Sequence, residues 1–142
     1  MEYKLTLPGR LDGPNEYTAA NRTNPQKGGR MKRKSEDAII YHIRQQLRGV
    51  HIAVPILIYY QFYEKDKRRD NDNILSCASK FVQDSLKKTG VIEDDSQKYI
   101  PNFYFDTFVD KENPRIEVTI TELTPEQAKM KLRDLLKDLE TG

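Results

Sequence analysis

The sequence predicts an α+β fold in one domain, with about four strands and about three helices. Two observations carry this. Four segments show the period-two alternation or the apolar runs of strands, and three others repeat their apolar residues at helical spacing. At 142 residues the chain suits one domain, 1–142, and no internal repeat marks a second. Apolar residues make up 37% and charged residues 32%, a thin supply for a core. A second subunit sharing that core would offset the shortage.

The first strand is Tyr3 to Leu7, which alternates and is broken by Pro8, Gly9, Gly13 and Pro14. From Asn15 to Arg33 there is Asn, Thr, Gly and Lys/Arg without periodicity, which reads as a long basic loop. Ser35 then offers an N-cap with Glu36 and Asp37 in the first turn, and Ile39, Ile40, Ile43 and Leu47 form one helical stripe that Gly49 ends. His51 to Tyr63 is the clearest strand, with Ile52, Val54, Ile56, Ile58, Tyr60 and Phe62 on one face. Pro55 cannot donate a ladder hydrogen bond, so this strand is expected at an edge or with a bulge. His51 is expected to be a plain strand-end residue.

A second helix spans Asp70 to Lys88 and closes at Gly90. Ile74, Leu75, Ala78, Phe81, Val82 and Leu86 share one side, while Asp72, Ser76 and Lys80 stack a turn apart on the other. After the polar turn Glu93 to Ser96, Lys98 to Val109 and Ile116 to Leu123 read as strands of a hairpin. Thr124, Pro125 and Gln127 form a capping-box start for a last helix, with the stripe Ala128, Leu132, Leu135, Leu136 and Leu139.

The net charge of +2 is uninformative, but its distribution is not. Arg22, Lys27, Arg30, Lys32, Arg33 and Lys34 occur with no acidic residue among them, and Lys65, Lys67, Arg68 and Arg69 run directly into Asp70 and Asp72. Basic runs against an acidic knot suit a protein that binds phosphate and holds a cation. Charge runs taken alone favour two solvated loops. Cys77 as the single cysteine excludes an internal disulfide and points to a reducing, cytoplasmic setting, with Cys77 in packing. No signal-like or membrane-spanning apolar run occurs.

Two carboxylates at R-R-D-N-D-N, residues 68–73, can converge on one cation, or can simply cap the following helix. An oxygen-only donor set selects magnesium or manganese over zinc, and neither His nor Cys stands at zinc spacing. The chain does not by itself say whether Asp94 and Asp95 reach Asp70.

These blocks, in order, resemble the RusA family of Holliday junction resolvases: R-R-D-N-D-N, then K-F-V-Q-D-S-L-K-K-T-G, then E-D-D-S-Q, then R-I-E-V-T-I-T-E-L. The resemblance covers Ile52 to Leu123. It implies a small mixed sheet in an intertwined homodimer and Mg2+-dependent cleavage of four-way branched DNA by paired symmetric nicks, with Mn2+ as a substitute. It implies no organic cofactor, and a place in DNA recombination and repair, often in a prophage. Motif by motif, Asp70, Asp72 and Asp95 would be metal ligands, with Asp94 in reserve, and Lys80 would act at the scissile phosphate. The basic residues above would contact DNA. The stretch from D-x-D-N to the lysine is four residues longer than the family pattern, which keeps Lys80 on the same helix face but one turn further from Asp72, with Ser76 in the usual lysine place. Tyr59, Tyr60, Tyr63, Tyr99 and Phe103 are candidates for stacking on bases, with Tyr60 and Phe62 expected in the core. Two rivals stand beside this reading. One is a non-catalytic branched-DNA-binding protein on the same fold, and the other a nuclease for other branched or flapped DNA.

Overall fold

The structure is a computed structural model that describes residues 1–9, 22, 25–68 and 71–141, without the side chains of 25, 71–74 and 76. Its strands are β1 (Glu2–Pro8), β2 (Ile56–Glu64), β3 (Asn102–Val109) and β4 (Arg115–Glu122). Its helices are α1 (Pro25–Gln46), α2 (Asn71–Lys88), α3 (Pro125–Ala128) and α4 (Leu132–Thr141). The α+β class with a four-stranded mixed sheet is as expected.

The sheet order is β1-β4-β2-β3, with β2 parallel to β3 and the other neighbours antiparallel. Register puts Leu5 opposite Val118, Leu7 opposite Ile116, and Tyr60 opposite Val118. One sheet face is therefore aliphatic and aromatic throughout. Onto it pack Ile39 and Ile43 of α1, Leu47 just after it, and Ala78, Phe81, Val82 and Leu86 of α2, all buried. Full burial of each of these side chains apart from Ala78 contributes roughly 1.5–3 kcal/mol. On the opposite face Leu57, Leu123 and Leu135 form a second cluster, covered by Leu132, Leu136 and Leu139 of α4. Gln46 ties α1 to β1: its amide accepts from Thr6 N at 2.7 Å and donates to Thr6 O at 2.8 Å.

Four expectations are corrected. The basic stretch is not a loop up to Arg33. The helix begins at Pro25, ten residues before Ser35, and Ser35 and Glu36 lie inside it. Gly28 and Gly29 disguise its first turns, since glycine costs about 1 kcal/mol in a helix interior. Gly28 is buried.

Next, β2 starts at Ile56, after Pro55, and is an inner strand flanked by β4 and β3. His51 to Pro55 contains an isolated parallel bridge, Ile52 to Ile92, and Pro55 O accepts from Leu123 N at 2.9 Å. The proline marks the strand's entrance, where its missing donor costs nothing.

Third, β3 and β4 are not a hairpin, because β2 lies between them. Two strand spacings of about 4.8 Å must be crossed, and five residues reach about 16 Å, so the loop 110–114 can step over the end of β2. Asp110 N donates to Glu64 O at 2.8 Å at that crossing. Arg115 locks it by donating to Asp110 at 2.8 Å and stacking 3.8 Å from the Tyr63 ring centroid.

Finally, the last helix is two. The capping box at Thr124 forms as expected, but α3 ends at Ala128 and α4 begins at Leu132. The break turns α4 so that Leu135 is fully buried against Leu57 and Leu123.

Candidate active site

The acidic turn follows from how α2 ends. Gly90 takes φ 80°, a conformation in which a side chain would be strained, and reverses the chain. Val91 and Ile92 then bury themselves, their amides donating to Leu86 O at 3.0 and 3.3 Å. Glu93, Asp94 and Asp95 emerge next to the last turns of α2.

Asp94 and Asp95 have different surroundings. Asp94 accepts from Lys87 Nζ at 3.0 Å. That bond, followed by the Asp95 backbone N–H, holds its carboxyl below the usual range. Asp94 thus fastens the turn. Asp95 is half-buried, and a side-chain hydrogen bond to it is among the influences that raise the pKa of Asp84 on α2. Burial first, then this bond and the Asp95 charge, push the Asp84 carboxyl up, against the lowering influence of Lys80 one turn earlier. Lys80 itself is exposed.

The structure therefore brings Lys80, Asp84 and Asp95 together. Asp84 was missed in the sequence, although its position four residues after Lys80 on the same helix face was the available signal. Asp70, Arg69 and the side chains of Asp72 and Ser76 lie outside the described residues. Among the described residues no three His, Cys, Asp or Glu side chains are grouped to hold a metal ion. Asp72 and Asp84 are twelve positions apart on α2, a rise of about 18 Å in a continuous helix.

His51 does more than end a strand. Its Nδ1 lies 2.7 Å from Gly90 O and its Nε2 3.0 Å from Glu93 Oε1, so it clasps the turn from the side of Ile52. The Gly90 carbonyl first, then the Glu93 carboxylate, raises its pKa above 6.5. Stabilisation from a raised folded-state pKa is complete below the unfolded value and fades as pH climbs through the folded one. The melting-temperature gap between wild type and His51→Ala is accordingly expected to be larger at pH 6 than at pH 9. A gap that is constant across a pH series of thermal melts would refute the clasp.

Exposed cations lie on α1 and in the segment after β2. Lys27, Arg30 and Lys34 are exposed and recur at i, i+3 and i+7 on α1, so they share one face. Arg22 and Arg33 are exposed as well. Lys32 lies 3.9 Å from Glu36, a buried carboxylate that also accepts from Lys88 Nζ at 2.7 Å and so joins α1 to α2. Lys65 and Arg68, with Asp66 and Lys111, line a groove of about 450 Å³, and Lys67 is exposed nearby. Lys111 was not among the sequence candidates. Tyr60 and Phe62 are core, as expected. Tyr59 stacks on Tyr104 at 4.3 Å and donates to Asp106 at 2.6 Å, while Tyr63 stacks on Phe108 at 4.9 Å.

An α+β domain with carboxylates beside a lysine on one helix, and exposed cationic surfaces elsewhere, has the make-up of a protein that handles phosphodiesters. The family model of endodeoxyribonuclease RusA matches residues 14–121, well over half the chain. The chain belongs to this family of Holliday junction resolvase nucleases. No curated protein matches it. Among the described residues no helix is long and apolar enough to cross a membrane.

Proposed function

We propose that the protein is a magnesium-dependent endonuclease that resolves four-way DNA junctions by paired symmetric nicks, in recombination and repair. Asp70, Asp72 and Asp95 form its acidic set and Lys80 serves the scissile phosphate. The supporting observation is that Asp95, in the turn just after α2, folds back beside the helix that carries Lys80, within a nuclease family. The donor chemistry fits a hard cation, since the acidic set is all oxygen. When bound, magnesium or manganese supplies Lewis-acid polarisation of the phosphodiester.

The chain's own residues do the rest. The carboxylates hold the cation and orient the attacking water by accepting its proton in a hydrogen bond. The Lys80 ammonium offsets the charge that grows on the phosphoryl oxygens. The α1 face of Lys27, Arg30 and Lys34, with Arg22, Lys32 and Arg33, grips backbone phosphates. So do Lys65, Lys67, Arg68 and Arg69, which fix register without reading bases. A two-fold homodimer presents two such sites to a nearly two-fold junction. β3 is an edge strand with exposed Phe103, Phe108 and Val109, and its open edge suits the contact.

One observation favours the alternative of a branched-DNA-binding protein that does not cut. The helical rise between Asp72 and Asp84 exceeds what two aspartate side chains span to one ion. A labelled synthetic junction incubated with magnesium or manganese separates the two readings. Paired nicks at symmetric positions are expected, and binding without nicks in either metal would leave the alternative standing. Forks and linear duplex in the same assay test junction preference.

The phosphate grip has its own test. Arg30→Glu with Lys34→Glu is expected to weaken junction binding and to flatten the slope of log K against log salt by roughly 2. An unaltered slope in a binding titration from low to moderate salt would take this face of α1 off the DNA.

A further inference from the structure

We propose that Lys111 contacts DNA, and that the loop 110–114 forms one wall of a seat for a backbone phosphate whose other wall is the segment 65–68. The inference rests on the reading above only in taking DNA as the ligand. Neither the motif resemblance nor the basic runs of the sequence assign Lys111 a part.

The fold brings these two distant stretches together. β2 ends at Glu64 and delivers Lys65, Asp66 and Arg68. The loop 110–114 steps over that same end, where Asp110 N donates to Glu64 O at 2.8 Å. Lys65, Asp66, Arg68 and Lys111 therefore line one groove of about 450 Å³. Its carboxylate is already engaged, since Asp66 accepts from Arg68 N at 2.9 Å and lies 3.7 Å from Arg68 Nε. Lys65 and Lys111 are exposed, with no ion pair among the described residues. All four lining side chains are charged, so the groove offers charge to a phosphate and no stacking platform to a base. The loop is also held firmly. The Asp110 carboxylate accepts from Asn113 N at 3.1 Å and from Arg115 Nη1 at 2.8 Å, and Pro114 O accepts from Gly9 N at 2.9 Å. A cation carried on a fixed backbone loses less freedom on binding than one on a free loop, which favours a ligand. Arg68 opens the block R-R-D-N-D-N, so a strand seated in the groove approaches the start of α2.

The test uses the full chain and two labelled four-way junctions of unrelated sequence, titrated in EDTA over a salt series so that no strand is cut. Lys111→Ala is compared with Lys111→Arg and with Lys129→Ala. Lys129 is an exposed cation at the other end of the sheet, next to Met130, whose carbonyl accepts from Asn102 Nδ2 at 3.3 Å. Lys111→Ala is expected to flatten the slope of log K against log salt by roughly 1 for each protomer on the DNA, and to weaken binding by up to about tenfold per protomer at 0.1 M salt. The loss should be the same for both junctions, because a phosphate contact carries no sequence information. Lys111→Arg keeps the charge and should keep the slope, and Lys129→Ala should match wild type. Thermal melts of Lys111→Ala should coincide with those of wild type. A slope and affinity for Lys111→Ala equal to those of Lys129→Ala would overturn the proposal, as would a loss confined to one junction sequence. Failure of wild type to bind either junction at low salt would overturn it together with the DNA reading. Binding by wild type without nicks once magnesium or manganese is added removes the nuclease reading alone, and the slopes in EDTA still decide the role of Lys111.

Discussion

Replacing Asp95 with asparagine is expected to slow junction cutting by at least about 100-fold while leaving junction affinity equal or higher. The substitution keeps size and removes one negative charge from the ligand set, and losing a ligand should cost at least as much as losing a group that supports one. Affinity should not fall, because the lost charge would have repelled phosphate. Asp70→Asn is expected to behave in the same way. Single-turnover nicking beside a gel-shift titration measures both halves, and a wild-type rate from Asp95→Asn would remove it from the catalytic set. Asp94→Asn should be milder, since Asp94 spends its charge on Lys87 and the turn backbone.

The second large effect lies in the core. Phe62 is 1% exposed on the inner strand β2, with Tyr60 stacked 5.8 Å away and Phe105 edge-on at 6.0 Å. Phe62→Ala leaves a cavity that rigid sheet neighbours cannot fill, and should destabilise by about 3–5 kcal/mol. For a chain of this size that is a fall in Tm on the order of 10 °C. Phe108, 39% exposed on β3, is the control. Its truncation should move the melt of the monomer far less. Equal shifts for the two variants in thermal denaturation would contradict the assignment of the core to the helix-covered face.

The contrast between those phenylalanines shows what could be read early. Alternation along β2 placed Tyr60 and Phe62 inside before any fold was known, because side chains on a strand must alternate. The end of α2 was readable for a similar reason: an apolar stripe and a glycine that can take positive φ are local signals. The start of α1 was not, since two glycines weaken helix propensity and only burial against the rest of the molecule compensates. The capping box at Thr124 was local and correct, but the break after Ala128 depends on where Leu135 finds its pocket.

The candidate site divides along the same line. Asp95 and Lys80 were singled out from motif resemblance, and the structure puts both beside Asp84. Asp84 stands four residues after Lys80, but that spacing alone does not lift it above an ordinary solvated helix residue. What makes it notable is contact with a carboxyl eleven positions later in the chain, across a turn. Asp94 and Asp95 are identical as letters. Lys87 and the turn backbone draw one aside, and Asp84 receives the other.

Residue order alone was enough for the α+β class, the central parts of most strands and helices with their buried faces, and the family. These depend on periodicity, capping and motif spacing, which act between neighbours in the chain. Tertiary structure alone decided that β2 is an inner strand, that β3 and β4 are parted by it, and that Asp84 meets Asp95. Such pairings depend on which distant surfaces bury each other best. That competition is settled by packing over the whole sheet, and no short stretch of sequence contains it.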